Sequence, residues 1–411
     1  METNLITTTE YYELIKEKSQ TKDFFGLVGK KLTEVKFAQK SLGSNNLNLS
    51  EAILTGMDLA QFNFSRAILN EANLDRCDLY SATLSNVKLQ NASLKNADLV
   101  KANLFQAELR GANLTEADLS YADLRYCDLS GADLSNAKLV GANLALSCLK
   151  KANLSNTNLS KANIRSDVPE KKYSHITKGY NFTDLKGANL SGAVLKGTLY
   201  DEHTRFPKEV DLKAAGAYLI APGVSLAKLD LSNADLRGAN LSGVNLSEAN
   251  LTGVNLNSTN LSRANLTSAT IIFKDREHLK LREYVAGIKL EQANLQKTTI
   301  IGFQPRRYCT YLQGANFNQT TFGDVSFECA ELMGASFSNL NLNGVNFRDA
   351  KLSGVNFENC SLRGAIFTGA YLRGANFIGA DLSGVYLTES QIKDAILPEG
   401  FKNNYKRSRC F

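Results

Sequence analysis

Four groups of side chains in this 411-residue sequence are of types that do chemistry. Asp201, Glu202 and His203 are consecutive and offer two carboxylates and an imidazole, the donor types of a divalent metal site or of acid–base catalysis. Three adjacent side chains rarely converge, however, and no second ligating cluster stands elsewhere to complete a site. The seven cysteines include no CxxC pair and no metal-ligand spacing; Cys77, Cys127 and Cys360 read as small buried fillers. "GFQPRRYCTYL" combines Arg306 and Arg307 with Tyr308 and Tyr311, a mixture on which single-stranded nucleic acid stacks. Finally, Asp58, Asp78, Asp98 and Asp118 recur every twenty residues, which aligns four carboxylates if the backbone shares that period. With no phosphate-binding glycine loop and no nucleophile beside an arguable base, neither an enzyme nor a cofactor or metal is expected.

What positions these residues is a repeat. "LSGADLSNAKLVGANL", Leu129 to Leu144, places a leucine at every fifth position and an alanine two residues before each of the last three. On an α-helix five residues advance about 500°, which smears the leucines around the surface. On a flat strand an odd spacing throws every second leucine to solvent. A chain that turns a corner every five residues satisfies the pattern, each side pointing one leucine and one small residue inward. The large apolar centre runs unbroken from Leu49 to Ile164, giving 24 repeats, and further series bring the total to 58. Periodicity of this kind defines a solenoid whose units bury their apolar faces against their neighbours.

The motif in "ANLTEADLSYADLRYCDLSGADL", Ala112 to Leu134, resembles the pentapeptide-repeat family, with a bacterial, cyanobacterial-like character. That resemblance implies an all-β fold, a right-handed quadrilateral parallel β-helix with twenty residues per coil. At an inter-strand spacing of about 4.8 Å, the repeats then predict roughly 14 coils and a rod of about 70 Å.

Changes of phase divide the chain. Residues 1–45 form an N-terminal cap, with a charged helix over Thr8–Lys22 and then Leu27, Leu32, Phe37 and Leu42 five apart but out of phase with Leu49. Such a cap covers the unpaired edges of a first coil. Repeats occupy 46–165, 184–200, 225–271, 289–300 and 312–397; insertions occupy 166–183, 201–224, 272–288 and 301–311, the third with the spacing of a short helix around Leu279 and Val285. A basic tail closes the chain over 398–411. The three histidines and Pro169, Pro207, Pro222 and Pro305 fall in the insertions, as ladder hydrogen bonding demands.

A twenty-residue coil makes the surface and lumen readable. The column Asp58, Asp78, Asp98, Asp118 ends at Lys138 and Asn158, and its carboxylates, about 5 Å apart, repel unless hydroxyls or lysines such as Lys101 relieve them. Phe317, Phe337, Phe357 and Phe377 stack on one wall and Phe327, Phe347 and Phe367 on the opposite one, as core rather than ligand site. The expected function is a non-enzymatic rigid scaffold or adaptor that binds protein partners through its faces and inserted loops, including within a larger assembly of a photosynthetic bacterium. The family resemblance supplies an alternative, a DNA-mimicking modulator of a type II topoisomerase. Residues 46–165 balance 12 acidic against 12 basic side chains, whereas duplex DNA carries about one charge per 1.7 Å. Net charge of +6 is too modest and scattered to make nucleic acid the expected partner. The sequence contains no apolar run of transmembrane length and no secretory leader pattern, so the expected location is cytoplasmic, with a homodimer as one assembly the fold allows.

Overall fold

The computed structural model describes residues 47–166, 182–273, 288–301, 303, 310–388, 391 and 393–401. The cap at 1–45 and most of the insertions at 166–183, 272–288 and 301–311, including Arg306, Arg307 and Tyr308, lie outside the described residues. So does the tail from 402 onward. The chain divides into two compact units, Met1–Leu219 and Ile220–Phe411.

In the first unit each five-residue side follows one rule. At the centre sits a buried residue such as Leu49 or Leu54, and two positions before it a small buried one such as Ala52. The residue just before the centre pairs in parallel with its counterpart one coil on: Asn48 with Ile68, Ile53 with Asn73, Asp58 with Asp78. Twenty residues per pairing and five per side give four walls. Corners are β-turns closed by hydrogen bonds such as Ala52 N to Leu49 O at 3.1 Å, with positive φ at the third turn residue, 59° at Glu51 and 72° at Gly56.

Four of the five backbone amides per side find backbone acceptors. Around Leu49 these are Leu49 N to Ile68 O, Glu51 N to Asn70 O, Ala52 N to Leu49 O, and Ile68 N to Leu47 O. The fifth, just after the centre, takes a side-chain acceptor: Ser50 N donates to Asn48 Oδ1 at 3.0 Å. Asparagine or aspartate directly before the centre therefore completes the hydrogen bonding of the coil, because a buried unpaired amide costs about 1–3 kcal/mol. Where Lys88 and Ser93 occupy that place, Gln90 N and Lys95 N turn to Asn70 and Asp75 of the preceding coil.

The insertions register as changes in ladder spacing. Cys148 pairs with Asp184 and Asn163 with Leu199, so the first insertion leaves the walls in phase. The segment 201–224, read from the sequence as an insertion, instead contributes to the ladder. Asp184 pairs with Arg205, and β1 (Leu199–Tyr200) pairs in parallel with β2 (Tyr218–Leu219). Phe206, Val210 and Leu212 pack against the core without the five-residue spacing, and for that reason the sequence hid this course.

The second unit repeats the rule from Ser225, paired with Asn245, to Asn376, paired with Ile396. Strands β3 (Thr270–Ile272), β4 (Thr299–Ile301) and β5 (Thr321–Gly323) form one parallel sheet in that order. Its lumen holds the two phenylalanine ladders. Phe317, Phe337, Phe357 and Phe377 stack with centroids 4.6, 5.4 and 5.1 Å apart, and Phe327, Phe347 and Phe367 at 5.4 and 5.1 Å. The ladders also meet edge to face across the lumen, as at Phe337–Phe347 (6.0 Å, 83°), so rings on opposite walls are direct neighbours.

Candidate interaction faces

Each wall of the first unit presents the residues before the centres as an outward row. On one wall that row is Asp58, Asp78, Asp98, Asp118, Lys138 and Asn158, joined by consecutive parallel pairings. The first three aspartates are exposed and the fourth half-buried. One oxygen of each is already used: Oδ1 accepts from Ala60 N (3.1 Å), Tyr80 N (2.9 Å), Val100 N (2.9 Å) and Ser120 N (3.0 Å). The carboxylates thus have a structural duty that the sequence reading did not assign them; its signal was the recurrence of Asp or Asn directly before the centre.

The expected relief by Lys101 does not occur. Its ammonium donates to Tyr80 Oη at 3.2 Å and lies 5.6 Å from the centroid of that ring, while the cation that reaches the column is Lys138, 3.5 Å from Asp118 Oδ2. Other rows solve the stacking problem with amides. Asn153 Nδ2 donates to Asp133 Oδ1 at 3.0 Å, and Asn260 Nδ2 to Asn240 Oδ1 at 3.1 Å. Aspartate 123 is paired differently, gripped by both Nε and Nη2 of Arg125 at 2.8 and 2.7 Å. Tyr121, 58% exposed, projects beside the acidic row and covers the corner at Gly141, where an added methyl would meet the ring.

Of the proposed loop, Tyr311 alone lies among the described residues, and it stands on the ladder between Lys289 and Glu331 rather than in an insertion. Asp201, Glu202 and His203 diverge. Asp201 is buried and its carboxylate accepts from Ser166 N, His203 N (3.1 Å) and Thr204 N (2.9 Å), which makes it a turn cap. Glu202 and His203 are exposed and border a shallow recess of about 460 Å³ with Phe182, Thr204 and Arg205. The Arg205 guanidinium lies 3.6 Å over the Phe182 ring. Among the described residues no group of three or more His, Cys, Asp or Glu is placed to hold a metal ion.

The three cysteines read as fillers occupy the small position two before a centre, and each also donates. Cys77 Sγ reaches Leu54 O at 3.0 Å, Cys127 Sγ reaches Leu104 O at 3.0 Å and Cys360 Sγ reaches Phe337 O at 2.9 Å. Threonines fill the same place in the same way, as Thr157 Oγ1 to Leu134 O at 2.8 Å. Burial pushes the Cys77 and Cys360 thiols up to about 11 and Cys127 higher still, so none is a nucleophile at neutral pH.

A twenty-residue coil with four five-residue walls, parallel pairing and an apolar lumen defines a quadrilateral β-helix. Family models described as "Pentapeptide repeats (8 copies)" match within 45–165 and over 227–269, and "Pentapeptide repeat region" matches 320–397. The chain belongs to the pentapeptide repeat family, whose members fold as right-handed quadrilateral β-helices. Among solved structures it is similar to HetL, a pentapeptide repeat protein involved in heterocyst differentiation regulation from the cyanobacterium Nostoc sp. strain PCC 7120. The two share 21% identity over 83% of this chain and 92% of that one, with a TM-score of 0.28. It is similar also to alr5209, a pentapeptide repeat protein from Nostoc PCC 7120, with 35% identity over 28% of this chain and 84% of that one and a TM-score of 0.24. Full-length QnrB1, a plasmid-mediated fluoroquinolone resistance protein, shares 18% identity over 64% and 93% of the two chains, with a TM-score of 0.16. No curated protein matches the chain. Among the described residues no helix is long and apolar enough to cross a membrane.

Proposed function

We propose that this protein is a non-enzymatic scaffold that binds a protein partner in the cytoplasm through the outward rows of its walls. The observation that supports this reading is the way those rows are built. Side chains such as Asp58, Asp78, Asp98 and Asp118 are fixed at one-coil spacing by bonds to their own turns, so a partner meets them already ordered. Pre-ordering lowers the entropy that association must overcome. The acidic row beside Tyr80 and Tyr121 is the candidate contact surface, and it suits a partner bearing lysines or arginines.

The test is capture of partners by the full chain from a cell extract, against a variant with Asp58, Asp78, Asp98 and Asp118 all changed to Asn. Asparagine keeps the oxygen that caps each turn, so the variant should hold its thermal transition while recovery of the partner drops at least several-fold. Equal recovery by both proteins removes this row from the interface. The stacked carboxylates favour a second reading, imitation of the DNA backbone toward a type II topoisomerase, against which stands the balance of 12 acidic and 12 basic side chains over 46–165. Failure of the parent protein to protect such an enzyme in a supercoiling assay ends that second reading and leaves the first untouched.

A further inference from the structure

The lumen of the second unit is not evenly filled. Three of its walls stay in register where the ladder spacing lengthens: Asn260 pairs with Lys289 and then Tyr311, Asn265 with Asn294 and then Asn316, and Ile271 with Ile300 and then Phe322. Their centres follow without a gap, as in Leu261, Leu290 and Leu312. The fourth wall differs. After Asn255, which precedes the centre Leu256, its next ladder pairing among the described residues is Ser326 with Asn346. On that wall Ser326 N donates to Phe303 O at 2.8 Å, and the Phe303 ring lies 6.0 Å from Phe273 and 5.7 Å from Phe327.

Beside Phe273 and Phe303 lies a cavity of about 20 Å³, lined by Leu256, Leu295, Ile300, Phe303, Phe317 and Phe322 among other side chains, those among the described residues being all leucine, isoleucine or phenylalanine. We propose that this cavity is a dry binding site for a small apolar guest, one of the size class of a noble-gas atom or a diatomic gas. A void needs roughly 10–15 Å³ of occupied volume to admit a single water, and here the centre of a water-sized body alone has about 20 Å³ to move in, so the space suffices for one small body. Water entering it would find no hydrogen-bond partner among the Leu, Ile and Phe side chains that line it in the described residues, and a buried polar molecule without partners is disfavoured. An apolar atom loses nothing of that kind and gains dispersion contacts with the lining carbons. The site goes beyond the scaffold reading and is independent of it, because every lining side chain faces the lumen and none belongs to an outward row.

Crystals of the full chain pressurised with xenon test the proposal. The expected result is one xenon peak among Phe303, Phe317 and Phe322, with higher occupancy in Ile300→Val, which enlarges the cavity by one methyl, and loss of the peak in Leu312→Phe, which extends a ring toward it. Ile300→Val is mild enough to leave the fold intact if Leu312→Phe does not. Ordered water in the cavity of the parent protein, or no xenon there in either the parent or Ile300→Val, overturns the proposal.

Discussion

The coils of residues 47–165 and those of residues 311–387 make the same turn from different materials. In the former the lumen is filled by leucines over alanines, and residues with side chains occupy most of the left-handed corners, glycine standing at Gly56, Gly111, Gly131 and Gly141. In the latter phenylalanine alternates with leucine from Phe327 to Phe377, and glycine holds every corner from Gly364 to Gly384. A side chain in the left-handed region costs roughly 1–2 kcal/mol, less for asparagine and aspartate. The first region accepts that strain at Lys101 and Tyr121 among others, whereas the second avoids most of it and adds ring stacking. One coil geometry therefore accommodates both ways of filling the lumen and both kinds of corner residue.

The largest expected effect separates the two lumens. Phe347 stacks between Phe327 and Phe367 at 5.4 and 5.1 Å and meets Phe337 and Phe357 edge to face. Phe347→Ala is expected to destabilise its unit by about 3–5 kcal/mol, and Leu109→Ala in the first region by about 2–5 kcal/mol at the lower end of that span. Denaturant unfolding followed by amide hydrogen exchange, which assigns the loss to one unit, makes the comparison. A larger loss for Leu109→Ala would show that the rings pack more loosely than their stacking suggests.

Corners come next. Gly364 has φ +64° and open space where a Cβ would stand, so Gly364→Ala adds conformational strain alone and should cost about 1–2 kcal/mol. At Gly369 the same change should cost more, because the new methyl would run into the Asp349 carboxylate of the coil below. In the first region the reverse substitution, Lys101→Gly, is expected to gain less than about 1 kcal/mol, since relief at the corner is offset by the greater freedom of glycine in the unfolded chain. If Gly364→Ala is neutral in thermal unfolding, the glycine corners of the second region have no energetic meaning.

A smaller effect distinguishes acidic rows from amide rows. Asp98→Asn keeps the acceptor for Val100 N, removes one repelling charge and adds an amide positioned as Asn153 is toward Asp133. It should stabilise the first region by about 0.2–1 kcal/mol, the size of a cross-strand pair. The gain should shrink as salt screens the column it relieves. Asp98→Ala should lose stability at every ionic strength because Val100 N is left without its partner. Equal behaviour of the two variants would mean that the charge, and not the cap, governs this position.

Spacing alone made much of this legible. Five-residue centres fixed the walls, and multiples of twenty placed both the aspartate row and the phenylalanine ladders where the structure has them. What stayed hidden lacks a period or depends on the third dimension. Arg205, Tyr218 and Leu219 join the ladder at spacings of 21 and 19, which a count of five cannot find. Lys101 chooses the Tyr80 ring over the carboxylates, a choice between near neighbours that sequence distance does not rank. The turn-capping oxygen of each aspartate was written in plain residues, yet its purpose emerges only once the other four amides are seen to be satisfied by the backbone.

The smallest effect concerns one carboxylate of the second region. Asp381 is held down to about 2 by the Ser383 hydroxyl first, then by the Arg363 guanidinium and the Ser383 amide. Its value in the folded protein lies below the usual 3.8, so the stabilisation it contributes is complete above that ordinary value and is lost as pH falls through about 2. Between those limits the unfolded chain binds the proton more readily than the folded one, and acid therefore weakens the coil there. A carbon-13 titration of the Asp381 carboxyl should show a midpoint near 2 that moves up in Ser383→Ala and, by a smaller step, in Arg363→Gln. The group is at the surface, so added salt should reproduce part of the Arg363→Gln shift and little of the Ser383→Ala shift. A midpoint that neither substitution moves would leave the low value without the causes given to it.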